Sequence, residues 1–356
     1  MLSASVRIAV DAMGGDLGAV EVVRGAIDAA RTSCAGDQVI LVGDETEIRS
    51  ELVRHRSVPG NLSVRHASQT ILMTDKPREA YRKKPDASVV VAARMVRDGE
   101  ADGFVSIGNT GAAMAASVFL LRPLPGIDRP AIGVTLPSIG GQVVMVDGGA
   151  NVDCSPRQLL EFALMGSAYA SFVLGIEKPR IRLLSNGEEE SKGNELSRQA
   201  YKLLKATLPN FLGYVEGRGV FRGETDVVVC DGFDGNILLK TGEGAAELVL
   251  RMLKQELTSH RWMQLWLLPM RKPIQRLRDR LDYREFGGAP LLGVNGVCVV
   301  GHGRSDQRAV SRAISVARKA IQVDLVGEIR RSVAALPGEA AEYPAGNGSA
   351  EITLDR

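Results

Sequence analysis

The residues able to do chemistry fall in six polar, glycine-bearing turns, each following a short apolar run. They are Asp11-Ala12-Met13-Gly14-Gly15-Asp16, Gly108-Asn109-Thr110-Gly111, Asp147-Gly148-Gly149-Ala150-Asn151, the long turn Ser185 to Glu195, Asp231-Gly232-Phe233-Asp234-Gly235-Asn236, and Gly301-His302-Gly303-Arg304-Ser305-Asp306. Glycine lets a backbone turn tightly and come close to a ligand. Asn, Thr or Ser ahead of a helix either caps it or presents donors to an anion at its N-terminus. Any single strand-to-helix turn favours these residues for local reasons. Six of them on the carboxyl edge of one sheet argue for a polar, anion-accepting cleft. Its candidate contacts are Asp11, Gly14, Gly15, Asp16, Asn109, Thr110, Gly111, Asp147, Asn151, Gly187, Gly193, Asn194, Asp231, Gly235, Lys240, Gly303 and Ser305.

Three side chains have the chemistry to act on a bound group. Lys192 can neutralise phosphate or an oxyanion, or simply pair with Glu188, Glu189 or Glu190 on the surface. The Asn236 amide can donate to a carbonyl oxygen or cap a helix. His302, flanked by glycines, can protonate a leaving group or hold its loop. Four strand-ending carboxylates around one phosphate would repel it. Asp11, Asp16, Asp147 and Asp231 are therefore expected to orient cations or loop amides, with a Mg²⁺ site as the alternative.

Several chemistries lack their motif. No GK dipeptide exists for a P-loop, no strand-to-helix turn carries GxGxxG, and there is no GxSxG elbow. Cys34, Cys154, Cys230 and Cys298 form no CxxC pair, and the four histidines form no HExxH. We expect reduced thiols, no metal and no cofactor.

The elements that must carry these turns alternate along the chain. Apolar β-branched runs at 6–10, 38–43, 61–65, 103–107, 131–136, 142–146, 180–184, 226–230 and 297–300 predict strands. Helical patterns lie near 18–32, 44–54, 87–98, 110–121, 155–174, 194–206, 234–257 and 305–333. This predicts an α/β fold, a mostly parallel sheet with helices on both faces. With 356 residues, 45% hydrophobic and 24% charged, the chain is long enough to bury such a sheet. A net charge of +2 gives no general case for nucleic acid. We expect one catalytic unit over 1–336 and a disordered tail over 337–356, rich in Gly, Ala, Glu and Pro. An amphipathic helical hairpin is expected to protrude at about 251–286. Both tryptophans lie there, and residues 251–284 hold nine Lys/Arg against three Asp/Glu. Trp262, Leu265, Trp266, Leu267 and Leu268 suit shallow insertion into an anionic membrane surface, or packing against a dimer partner. The N-terminus lacks a signal-peptide h-region and no run is long enough to span a bilayer, so a cytoplasmic location is expected. A second basic segment, Lys76 to Lys84, is a candidate docking patch for an acidic partner.

The stretches AVDAMGGD (9–16), SIGNTGA (106–112), VMVDGGANVDC (144–154), NGEEESKGNEL (186–196), VVCDGFDGNILLK (228–240) and GVNGVCVVGHGRSD (293–306) resemble, in this order, the bacterial PlsX family of acyl-acyl carrier protein:phosphate acyltransferases. One departure follows GGD: Leu17-Gly18-Ala19 stands where the family usually has His followed by Ala-Pro. The resemblance implies a fold similar to isocitrate and isopropylmalate dehydrogenases and phosphotransacetylase, and a homodimer. It implies transfer of a fatty acyl group from acyl carrier protein to inorganic phosphate. The acyl phosphate would feed phospholipid synthesis through a glycerol-phosphate acyltransferase, at the inner face of the cell membrane. It also favours the catalytic reading of Lys192. A coenzyme A-dependent transferase and a non-catalytic membrane-associated scaffold are the alternatives.

Overall fold

Apolar runs broken by Gly, Asn and Asp produce the expected alternation of strands and helices. The computed structural model describes residues 5–258, 272, 273, 275 and 287–336. The strands are β1 (Arg7–Asp11), β2 (Gln38–Gly43), β3 (Leu62–His66), β4 (Gly103–Ile107), β5 (Ala131–Ser138), β6 (Gly141–Val146), β7 (Ile181–Leu184), β8 (Phe211–Val215), β9 (Val227–Val229), β10 (Ala289–Leu292) and β11 (Val297–Gly301). The helices are α1 (Gly18–Arg31), α2 (Glu45–Leu52), α3 (Pro77–Lys83), α4 (Ser88–Arg97), α5 (Thr110–Ala116), α6 (Pro156–Ala168), α7 (Glu195–Thr207), α8 (Gly217–Arg222), α9 (Gly232–Thr258), α10 (Gln307–Gln322) and α11 (Leu325–Ala334). Helices α5 and α6 each run on into a π-helical turn, Ser117–Leu121 and Tyr169–Val173.

Among the described residues the strands form one sheet in the order β3-β2-β1-β4-β11-β10-β5-β6-β9-β7-β8. Strands β3, β2, β1, β4 and β11 are parallel, and so are β6, β9, β7 and β8. Between the two sets, β10 is antiparallel to β11 and to β5, and β5 is antiparallel to β6. The two parallel sets therefore run in opposite directions. This corrects the expectation of six turns on one edge. The turns after β1, β4 and β11 share one edge, and those after β6, β9 and β7 share the other.

Side-chain alternation along the strands sorts the core into layers. On one face Ile8, Val10, Val105, Val144, Val146, Val227 and Val229 belong to one core that continues across both sets. On the other face the core divides. Ala9, Phe104 and Cys298 pack with α4 and α5, whereas Met145, Val228 and Cys230 pack with Val220 of α8 and Leu238 and Leu239 of α9. On this face α4 and α5 cover the first set of strands, and α8 and α9 the second.

Helix α9 is continuous from Gly232 to Thr258, so the protruding arm expected from 251 begins inside a longer helix. Its outer part exposes Leu248, Val249 and Met252. Trp262, Leu265, Trp266, Leu267 and Leu268, and the tail from 337, lie outside the described residues. Among the described residues, no helix is long and apolar enough to cross a membrane.

Candidate active site

The first edge is built around Asp11. Its buried carboxylate accepts from Ser106 Oγ at 2.7 Å and from the Met13 N–H at 3.3 Å. Burial pushes its pKa up, against hydrogen bonds from Ser88, Ser106 and two loop amides. Asp11 thus shapes the diglycine turn from inside rather than facing a ligand. Glycine is needed at 108, because a Cβ there would stand 2.6 Å from the Gly14 carbonyl oxygen. The Asp16 N–H donates to the Gly303 carbonyl at 2.8 Å and ties in the turn after β11. There His302 is exposed, its Nδ1 accepting from the Arg304 N–H at 3.2 Å, while Gly303 and Ser305 are buried. Asn109 caps α5 through the Ala112 N–H, and its amide donates to the Leu72 and Asp75 carbonyls, both at 3.1 Å. Its side chain is fully engaged. The Thr110 and Gly111 positions at the helix start are what this turn offers an anion.

On the second edge Asp147 does what Asp11 does on the first. It is fully buried and accepts from the N–H groups of Ile132 (2.8 Å), Gly149 (3.3 Å) and Asn151 (2.6 Å) and from Asn151 Nδ2 (3.1 Å). Burial outweighs those donors and raises its pKa to about 6. Asn151 spends its remaining amide hydrogen on the Pro130 carbonyl, at 2.9 Å. Neither residue is open to a ligand; both fix the 147–151 turn. Asp231 accepts from the Asp234 N–H at 2.8 Å, and burial with two neighbouring carboxylates raises its pKa. The expectation that these carboxylates orient loop amides holds for Asp11, Asp147 and Asp231. Asp11 lies on the edge opposite Asp147 and Asp231, so the three do not converge on one Mg²⁺.

Two of the candidate side chains remain open on this edge. Asn236, on the first turn of α9, lies over Gly149, whose added Cβ would stand 3.4 Å from its own. Gly235 lets α9 sit this low: a Cβ there would collide with the Asp147 carbonyl. Lys192 is exposed in the turn after β7 and has no ion pair among the described residues. Its stem folds over Gly187, where a Cβ would meet its Cγ at 2.8 Å. Asn186 closes this turn by accepting from the N–H of Gly193, which is at φ +86°, and Asn194 ends it by capping α7. Glu190, a candidate partner for Lys192, pairs instead with Lys205 (2.5 Å) and Tyr201 Oη (2.8 Å).

Helix α9 joins the two edges. Seven residues beyond Asn236, about 10 Å along the axis, lies Glu243. Its carboxyl is raised by desolvation and lowered by the charges of His302 and Lys240. The charges of His302 and of exposed Lys240 both reach Glu243, so α9 passes near the turn after β11. Sequence reasoning missed Ser106, Glu243 and the Tyr201–Lys205 anchor. Of these only Ser106 carried a signal, as a polar residue in an otherwise apolar strand. Burial raises the thiols of Cys154 and Cys230, and that of Cys298 to about 12, which removes them as nucleophiles.

An α/β chain with this layering has solved counterparts. A phosphotransacetylase from Streptococcus pyogenes matches with a TM-score of 0.59 at 17% identity, over 91% of this chain and 94% of that one. EutD phosphotransacetylase from Staphylococcus aureus matches at 0.58 and 17%, over 89% and 95%. These likenesses define the fold. A family model described as fatty acid synthesis protein matches residues 6–327, and the chain belongs to that family, PlsX. A relative named phosphate acyltransferase, from Pelotomaculum thermopropionicum, is 48% identical over 92% of this chain and 95% of its own. One of the same name from Geobacter sulfurreducens is 47% identical over 89% and 91%.

Proposed function

We infer that this chain is a phosphate acyltransferase, moving an acyl group from acyl carrier protein to inorganic phosphate for phospholipid synthesis. The observation that carries the reading is Lys192. It is a cation with no ion pair among the described residues, held by a preorganised turn on the edge that also presents Asn236. Phosphate at neutral pH is already a partly dianionic nucleophile, so no serine or cysteine is required of the protein. Lys192 offsets the charge of phosphate and aims it at the thioester carbonyl. Asn236 Nδ2 donates to the carbonyl oxygen as it becomes an oxyanion. Collapse of the tetrahedral adduct breaks the C–S bond. The phosphate gives up its proton as it is acylated, the thiolate takes one from water, and acyl phosphate and free carrier result; His302, on the opposite edge, is too far from Asn236 to serve as that acid. Positioning and charge compensation supply the catalysis, and no step needs a metal or redox cofactor.

The test is incubation with acyl carrier protein thioester and phosphate, with acyl phosphate trapped by hydroxylamine. Formation of the hydroxamate only with phosphate present supports the reading. Turnover with acyl-coenzyme A alone replaces the carrier by coenzyme A, and no turnover with any thioester overturns the reading. The same proposal includes a homodimer and contact of Trp262 to Leu268 with an anionic membrane, where a glycerol-phosphate acyltransferase would take the product. The exposed Leu248, Val249 and Met252 on the helix leading there support an apolar surface that something covers. Leu265→Glu with Leu268→Glu should abolish sedimentation with anionic liposomes while leaving the dimer intact.

A further inference from the structure

A thioester whose carbonyl oxygen sits at Asn236 must lay its acyl chain against an apolar surface close by, and α9 itself offers one. The helix has three faces along its length. Leu238 and Leu239 pack into the core, and a Cβ on Gly242 would stand 2.9 Å from the Phe221 ring of α8, so this face is turned inward. A second face carries Lys240, Glu243, Glu247 and Arg251 at i, i+3, i+7 and i+11, with Glu247 paired to Arg251. The third face is apolar and open. Ile237, Leu248 and Met252 recur on it at i, i+11 and i+15, with Thr241, Gly244 and Ala245 between them. Ile237 is 50% exposed, Leu248 59% and Met252 58%. A contiguous exposed apolar strip of this kind marks a binding surface.

Three features suit an alkyl chain. The strip begins at the site, because exposed Phe233 and Ile237 stand on either side of Asn236 along the helix. It carries no charged side chain between Ile237 and Met252, and its middle is open: a Cβ on Gly244 would meet nothing within 4 Å. Its length also fits. From Asn236 to Leu248 is about 18 Å of helix. A chain that fills one leaflet, half of a hydrocarbon core of about 30 Å, is about 15 Å long.

We propose that the face of α9 from Ile237 to Met252 is the track for the substrate's acyl chain, resting on the acyltransferase reading above. The carbonyl is held at Asn236, and the first methylenes cross Phe233 and Ile237. The middle of the chain lies over Gly244, and its end reaches Leu248. The tail of the acyl phosphate then points along α9 toward the segment that bears Trp262.

The experiment is Leu248→Glu, with Leu248→Met beside it, assayed without membranes on carrier thioesters of butanoyl, decanoyl and hexadecanoyl chains. The butanoyl chain ends short of Leu248. The expected result is a fall of about 10-fold or more in kcat/KM for hexadecanoyl, roughly the contribution of two buried methylenes. Butanoyl turnover stays within twofold of the parent, which also shows that the variant is folded. Leu248→Met keeps the parent's dependence on chain length. Gly244→Glu, nearer Asn236, extends the loss to decanoyl. Loss at no chain length, or equal loss at all of them, overturns the track. Equal loss with a lower sedimentation coefficient gives the face to a second copy of the chain instead. A parent that acylates phosphate from no thioester fails the functional reading first.

Discussion

Lys192 owes its open charge to where its neighbours are held. Tyr201 and Lys205 draw Glu190 outward, and Asn186 fastens the turn from beneath. Lys192→Ala should lower turnover by about 10²-fold or more while leaving the far-ultraviolet spectrum and unfolding midpoint unchanged, since the side chain is exposed. Near-parental turnover would return it to the role of a surface cation. Asp147 acts on stability instead. Its folded pKa, about 6, lies above the ordinary carboxylate value, so the folded state binds the extra proton. Its contribution is fullest below pH 4 and is lost as pH rises through 6. The stability cost of Asp147→Asn should therefore shrink by on the order of 2–3 kcal/mol between pH 4 and pH 7, read from urea unfolding. A cost that grows over that range would refute the assignment. Residue types located the turns well but could not assign their facing. An Asp after an apolar strand looks the same whether it meets a ligand or, like Asp11 and Asp147, turns back to gather amides. Asn151 and Asn109 were misread as open donors for the same reason, because their amides satisfy carbonyls distant in sequence.

Elements with a strong period were readable, and the exceptions have local causes. Strand β8 is only five residues and contains Gly213 at φ +90°, next to a register shift against β7. Strand β10 carries Pro290, which argues against an inner strand. The helical pattern at 305–333 is two helices, because Asp324 adopts a left-handed conformation (φ 50°) and caps α11. One strained residue stands out. Arg122 ends the π-turn after α5 at φ 65°, ψ 155°, a region that glycine alone enters readily, with its N–H bonded to the Ser117 carbonyl and its carbonyl to the Asn295 N–H. Arg122→Gly should stabilise the protein by about 1 kcal/mol, the strain relief exceeding the added freedom of the unfolded chain. Arg122→Ala should give no such gain, since alanine meets the same backbone penalty. Equal effects of the two in urea unfolding would show that the gain, if any, comes from removing the guanidinium.

At the scale of the molecule, sheet composition was legible and strand direction was not. Runs 131–136 and 142–146 were correctly placed. The short link between them, Ile139-Gly140 ahead of Gly141, is too short for a parallel crossover and was the available signal for an antiparallel hairpin, but it did not tell that the second set of strands is reversed with it. Periodicity reports which face a side chain takes, and direction depends on which strands pair across long stretches of chain.

That reversal also divides the order in which the chain can complete itself. Strands β6, β7, β8 and β9 all lie within residues 141–229 and need no later segment to pair. Strand β4 has β1 on one side, but its other partner, β11, begins about 190 residues after β4 ends. During synthesis β4, buried along its whole length in the folded protein, therefore presents an open edge until residue 301 has left the ribosome, the condition that favours mispairing between nascent chains. In refolding, loop-closure entropy delays the same contact. Pulse-labelled hydrogen exchange should find amides of β6, β7 and β9 protected before those of β11. Protection of β11 at the same time or earlier would mean that the long closure is made at the start. The chain's late return to its own first half is thus a point at which a chaperone, or a slow ribosome, would change the yield of folded protein without touching a single residue of the site.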